Sequence, residues 1–328
     1  MSDVLLAVEN LTVDIGGTAV VDGVSFAMRR GEVLALVGES GCGKSLTAMA
    51  LLRLLPPAAR LAAGRVVLEG QDLAALPERA MRRLRGEALS IIFQEPTASL
   101  DPLATVGSQI VEAYRVHRGV TRAEARRAAR DMLDAVGIPD AERRLEQYPF
   151  ELSGGMCQRI MIAIALVCGP SLLVADEPTT ALDVTIQAQI LDLMRKLVAE
   201  RGASILIITH DMGVVADIAD RVAVMYAGRV VEVAPVAELF ASPRHPYTAL
   251  LLASVPRLDA TPKAQLATIE GRVPSPDEFG VGCRFAGRCP LAVQRCHEAP
   301  PALADIGRDH AAACWRSADV ARLMEPAS

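Results

Sequence analysis

Eight residues, Gly38-Glu39-Ser40-Gly41-Cys42-Gly43-Lys44-Ser45, constrain this chain more than any others. They fit the pattern G-x-x-x-x-G-K-S/T of a phosphate-binding loop. They follow Val33–Val37, a continuous apolar run of the kind buried in a parallel sheet, and they precede a helix expected over Lys44–Leu54. Glycines let such a loop aim successive backbone N–H groups at phosphate oxygens, and the helix N-terminus adds a favourable dipole. Lys44 is therefore expected to reach the terminal phosphates of a nucleotide and Ser45 to hold Mg²⁺, with Gly38 through Leu46 as the nucleotide-binding stretch. Lysine is scarce here, confined to Lys44, Lys196 and Lys263, which makes an accidental match rarer. Cys42 reads as a small filler of the loop, since nothing nearby marks it for catalysis.

A second element fits the same chemistry. Ser171–Glu177 is an apolar strand, Leu172–Ala175, that ends in two carboxylates. Successive strand residues project to opposite sides, so Asp176 can serve the Mg²⁺ shell while Glu177 polarises a water for in-line attack. Downstream, a helix over Val184–Glu200 and an apolar strand over Ser204–Thr209 continue a strand-helix-strand rhythm that implies a mainly parallel sheet. Upstream, apolar runs broken at Gly16-Gly17 and Asp22-Gly23 suggest a strand pair over Leu5–Phe26. Between residues 96 and 165 the character is helical. Thr121 and Glu124 form a capping box, and Arg122, Arg126, Arg127 and Arg130 make a solvated face rather than a binding patch.

Charge and composition narrow the partners. The 328 residues are 51% hydrophobic and 22% charged, a globular mixture, and the net charge of −5 lacks the basic excess that concentrates a protein on nucleic acid. The longest apolar stretch, Ile160–Ala175, is too short to span a bilayer and is broken by Gly169-Pro170. The N-terminus has no basic region ahead of its apolar run, so no signal peptide is expected and the chain is expected in the cytoplasm. There its seven cysteines would be reduced.

With these residues in view, the chain resembles the ATP-binding subunits of ABC transporters, from about Leu5 to Leu239. Leu152-Ser153-Gly154-Gly155-Met156 resembles the family's signature loop, Gln94 its Q-loop glutamine, His210 its switch histidine and Thr180-Ala181-Leu182-Asp183 its D-loop, all in the family's order. The resemblance implies ATP and Mg²⁺ as ligands, Glu177, His210 and Gln94 as catalytic residues, and Ser45, Gln94 and Asp176 around the metal. It also implies that Ser153, Gly154 and Gly155 meet ATP held by a second ATPase subunit, so that one chain alone does not suffice for catalysis. Independently, Ser153 can cap a helix over Ser153–Val167 and present bare N–H groups to an anion. Two positions depart from the commonest family pattern. Ile15 stands where an aromatic residue usually stacks on adenine, implying weak base selectivity, and Met156 replaces the usual glutamine, as in the first of the two ATPases of peptide and nickel importers.

The tail points the same way. His245-Pro246-Tyr247-Thr248, Pro274-Ser275-Pro276 and Gly282-Cys283 with Arg288-Cys289-Pro290 resemble the C-terminal extension of oligopeptide and dipeptide transporter ATPases. The spacing of Cys283, Cys289, Cys296 and Cys314 fits no common zinc or ferredoxin pattern, leaving metal ligation and free structural thiols both open. The family's tail pattern associates these four with a 4Fe–4S cluster, with zinc as the alternative. Cys157 and Cys168 read as helix packing.

The expected fold is α/β: a P-loop ATPase core with a RecA-like parallel sheet, an antiparallel β portion, a helical subdomain near 96–165 and a small Cys-containing C-terminal domain. The expected domains are 1–241 and 242–328, split where composition shifts to Pro, Cys and Arg. The expected function is ATP hydrolysis energising import of peptides or similar solutes. The partners implied are a second ATPase subunit, two transmembrane permease subunits docking near Gln94-Glu95-Pro96 and Ser99–Pro102, and indirectly an extracytoplasmic solute-binding protein. Nucleic acid is not expected, and the implied place is the cytoplasmic face of a bacterial inner membrane. The alternatives are a soluble ABC ATPase acting on nucleic acid or ribosomes, and a binding-only regulatory subunit, which intact Glu177 and His210 disfavour.

Overall fold

The computed structural model describes residues 3–180, 183–255 and 268–323. They form two compact units, one comprising the described parts of 1–28, 32–74 and 209–328, the other 29–31 and 75–208.

The first unit opens with β1 (Val4–Ile15) and β2 (Thr18–Arg29), joined at Gly16-Gly17. Both strands bury part of their apolar residues, with Leu6, Leu11, Val13, Val21, Val24 and Met28 inside. Next come β3 (Val33–Val37), buried at every position, and α1 (Lys44–Leu51). Then β4 (Ala59–Leu68) pairs antiparallel with β1 over nearly its whole length, and β5 (Gln71–Asp72) closes a sheet of order β2-β1-β4-β5.

The second unit holds α2 (Glu78–Leu84), β6 (Leu89–Ile92), α3 (Pro96–Ser99), α4 (Val106–His117), α5 (Arg122–Ala135), α6 (Ala141–Arg144), α7 (Gly154–Leu166), β7 (Leu172–Asp176), α8 (Val184–Arg201) and β8 (Ser204–Thr209). The capping box at Thr121 and Glu124 is formed, and Arg126 on the exposed face of α5 pairs with Glu142 and Glu146, both at 2.6 Å. Strands β6, β7 and β8 run parallel, and their continuous apolar sequences are buried to the last residue of β7 and β8. Cys157 and Cys168 pack inside this unit, as expected of them.

The chain returns to the first unit with α9 (Met212–Ile218), β9 (Arg221–Tyr226), β10 (Arg229–Pro235), α10 (Val236–Ala241) and α11 (Pro246–Ala253). After it come α12 (Gln294–Glu298), β11 (Ala304–Gly307) and β12 (His310–Ala312). Strand β9 pairs parallel with β3 and antiparallel with β10, and the tail adds β12 and then β11 beyond β10. Two clasps fix the tail to this unit. Glu232 on β10 has no solvent exposure, and its carboxylate accepts from the N–H groups of Arg244 (2.6 Å) and His245 (2.9 Å) and contacts His310 Nε2 at 2.7 Å. A buried carboxylate needs such partners. Tyr226, Tyr247 and Phe285 form the second clasp, with ring centroids 4.7–5.5 Å apart. In a chain with only four Tyr and six Phe, three meeting here make this the main aromatic contribution to its core. His245 caps α11 by accepting the Tyr247 N–H on Nδ1, and burial pushes its pKa down to about 3, keeping the ring neutral.

Candidate functional site

The phosphate loop lies between β3 and α1, where the sequence put it. Gly38 has φ +155° and passes so close to β9 that an added Cβ would lie 2.1 Å from the Met225 carbonyl oxygen. No other residue fits. Gly43, at φ +101°, is the left-handed residue that caps α1. Lys44 is buried, and its Nζ donates to the carbonyls of Gly38 (2.8 Å) and Glu39 (3.0 Å). The ammonium is thereby held in the concave side of the loop. Ser45 sits half-buried in the first turn of α1, and Leu46 follows it. Cys42 is buried beside Lys44, and burial pushes its thiol pKa up, which suits a filler and not a nucleophile. His210, in this unit, follows β8 and is exposed; Asp211 beside it caps α9 through the Gly213 N–H at 2.8 Å. Ile15 ends β1, half-buried and paired with Ala59.

In the second unit Asp176 ends β7 and is buried. Glu177 then takes φ +47°, in the left-handed region a non-glycine residue seldom adopts. Its N–H donates to the Ile208 carbonyl at 2.9 Å, which carries the β7-β8 pairing through the bend. The bend aims its carboxylate at Gln94, whose Nε2 donates at 2.9 Å, and at Thr180, whose hydroxyl donates at 2.9 Å. Two residues singled out separately, Gln94 and Glu177, are thus in contact. Thr180 is a partner that sequence reasoning counted only as the start of a D-loop; the Pro-Thr-Thr turn after Glu177 is the signal that could have pointed to it. A carboxylate oriented by Gln94 and Thr180 is of the kind that can orient a water and take its proton. Ala181 and Leu182 lie outside the described residues, whereas Asp183 caps α8 by accepting the Ile186 N–H at 3.0 Å. Ser153 caps α7 through the Met156 N–H, leaving Gly154 exposed and Gly155 half-exposed at the helix start.

In the tail, Cys283, Cys289, Cys296 and Cys314 line one small cavity together with His245, Phe285 and Trp315. Burial pushes the thiols of Cys289 and Cys314 up to about 11, favouring neutral S–H where no cation compensates. Among the described residues no group of three or more His, Cys, Asp or Glu side chains is disposed to hold a metal ion. The geometry therefore supports neither the 4Fe–4S nor the zinc reading; it shows four thiols that share one cavity.

Comparison with known proteins agrees with both halves of the chain. A family model described as ABC transporter matches residues 21–180, and one described as oligopeptide/dipeptide transporter, C-terminal region, matches residues 231–296. A putative peptide import ATP-binding protein of Brucella melitensis is 54% identical over 312 residues, covering 92% of each chain. The dipeptide transport ATP-binding protein DppD of Bacillus subtilis is 48% identical over 316 residues, covering 95% of this chain and 94% of the relative. Among solved structures, cbiO1 of Clostridium perfringens, part of an ABC transporter complex, is 30% identical with a TM-score of 0.64, covering 73% of this chain and 92% of that one. A dimeric ATP-binding cassette bound to ADP and phosphate matches at 25% identity and a TM-score of 0.63, covering 70% and 98%.

Proposed function

We propose, from the premise that this chain belongs to the ABC transporter ATP-binding family and hydrolyses ATP, that it energises the import of peptides or dipeptides. The observation that carries the peptide reading is the oligopeptide/dipeptide transporter match over residues 231–296, joined to relatives named for peptide import over nine-tenths of the chain. Those names favour an importer over the alternative of an ATPase acting on nucleic acid or ribosomes. ABC ATPase cassettes form dimers and work with membrane permeases. Here the partners are a second ATPase subunit and two permease subunits, with an extracytoplasmic binding protein delivering solute; Met156 favours the role of first ATPase in a pair. Among the described residues no helix is long and apolar enough to cross a membrane, so attachment to the cytoplasmic face of the inner membrane would be peripheral.

At the ATP site, Gly38–Ser45 with Leu46 holds the phosphates, and Lys44 neutralises charge on the β- and γ-groups. Ser45, Gln94 and Asp176 offer the oxygen donors that Mg²⁺ prefers, and the ion supplies charge neutralisation on the phosphates when bound. Glu177 accepts the proton of the attacking water, His210 meets the γ-phosphate, and Ser153, Gly154 and Gly155 complete the site of the opposite subunit with Asp183 beside them. An affinity-tagged chain expressed with its neighbouring genes should copurify with two permeases, and their presence together with a peptide-loaded binding protein should raise its ATPase rate. Stimulation by nucleic acid or ribosomes instead would overturn the importer reading.

The tail carries a finer reading, in which Cys283, Cys289, Cys296 and Cys314 hold a 4Fe–4S cluster of mainly structural role. What supports it is the donor set: four thiols lining one cavity, in a segment with little apolar core of its own. Protein purified without oxygen should be brown and carry about four irons per chain, and Cys289→Ser should bleach it while ATP binding persists. About one zinc and no iron would install the alternative, and no metal would end both.

A further inference from the structure

The His-Pro-Tyr-Thr motif and Arg288 of the tail meet the phosphate loop at one residue, Glu39. Every polar group of Glu39 is engaged. Its N–H donates to the Tyr247 hydroxyl at 2.8 Å, its carbonyl accepts from Lys44 Nζ at 3.0 Å, and its two carboxylate oxygens lie 2.9 and 3.2 Å from Arg288 Nη1. Arg288 is itself fixed, donating to the carbonyls of Ile269 (3.1 Å), Glu270 (2.8 Å) and Gly271 (3.4 Å) and to the Tyr226 hydroxyl (3.3 Å). Its side chain is only 9% exposed, against 25% for that of Glu39.

The chemistry of the loop gives this contact a purpose. A loop that receives a polyphosphate carries an acidic side chain in its second position, and an unpaired carboxylate there would repel the ligand. Arg288 cancels that charge and, through Glu39, steadies the backbone carbonyl on which Lys44 rests. Tyr247 occupies the Glu39 N–H and so fixes the loop at its entry.

We propose that Arg288 and Tyr247 are positioning residues for nucleotide binding, through which the C-terminal segment sets the affinity of the phosphate loop for ATP. The proposal rests on reading Gly38–Ser45 as the ATP loop. It predicts a charge effect, which a merely structural role would not produce.

Arg288→Gln in the full-length chain, titrated calorimetrically with ATP and Mg²⁺, should bind ATP about five- to tenfold more weakly, the scale of losing one partly buried charge partner. The loss should be larger for ATP than for ADP, and it should shrink as salt rises and screens the uncompensated carboxylate. Adding Glu39→Gln to Arg288→Gln should restore most of the affinity, because the stranded charge is gone. Arg288→Lys should fall between, keeping the charge without the fork geometry. Equal losses in Arg288→Gln and the double variant, or no loss in either, overturn the proposal; so does a loss insensitive to salt. Thermal melting of each variant separates misfolding from weakened binding. The parent reading fails separately, if Lys44→Ala binds ATP as the natural chain does.

Discussion

Glu177→Gln is expected to lower ATP hydrolysis by roughly 10²-fold or more, the usual cost of losing a general base, while leaving ATP binding intact. The substitution is nearly isosteric. Glutamine meets the same backbone penalty as glutamate at φ +47°, so the bend after β7 should persist, and its amide oxygen can still accept from Gln94 or Thr180. What it cannot do is take a proton from water. ATP should then accumulate uncleaved, and the assembled ATPase should be trapped as a closed dimer. Phosphate release by the assembled transporter measures the first effect and size-exclusion chromatography with ATP the second; a normal rate of release removes Glu177 from the role of base.

Lys44→Ala is expected to act earlier, on binding itself. The buried ammonium is the one cationic side chain within Gly38–Ser45, and it also ties the carbonyls of Gly38 and Glu39 together. Charge-assisted hydrogen bonds are worth roughly 1.5–3 kcal/mol each, so ATP affinity should fall by about 10- to 100-fold, with hydrolysis and transport lost. Direct titration with ATP checks this, and unchanged affinity would contradict the assignment of the loop.

The parts of the fold legible in the sequence are those governed by local rules. Continuous apolar runs marked β3, β7 and β8, a glycine pair marked the turn between β1 and β2, and Thr121 with Glu124 marked the start of α5. The candidate site was legible for the same reason, since each motif is a short string whose chemistry depends on its own backbone. Pairings across long stretches of chain were not. Nothing local in Ala59–Leu68 announces β1 as its partner, and a three-residue strand such as His310–Ala312 carries no pattern of its own. Glu177 is a further case, because the left-handed conformation that joins it to Gln94 is imposed by pairing with Ile208 and not by a glycine. The contacts of Glu39 with Tyr247 and Arg288 span more than two hundred residues, and only the folded chain reveals them. The boundary at 241 marks a change in composition, which reports local elements and is blind to strands that pair across it.

The pairing of β12 with β10 makes the tail the hem of a sheet that would otherwise fray. Val230, Val231 and Val233 are at most 8% exposed, and Glu232 between them owes its partners Arg244, His245 and His310 entirely to residues beyond 241. A shorter gene product carrying every nucleotide motif but ending near that point would present an open row of backbone donors and acceptors flanked by valines, the surface on which chains stack into aggregates. Solubility thus ties the two segments together in this chain: the stretch before 241, expressed alone, is expected to aggregate unless another strand covers the edge of β10.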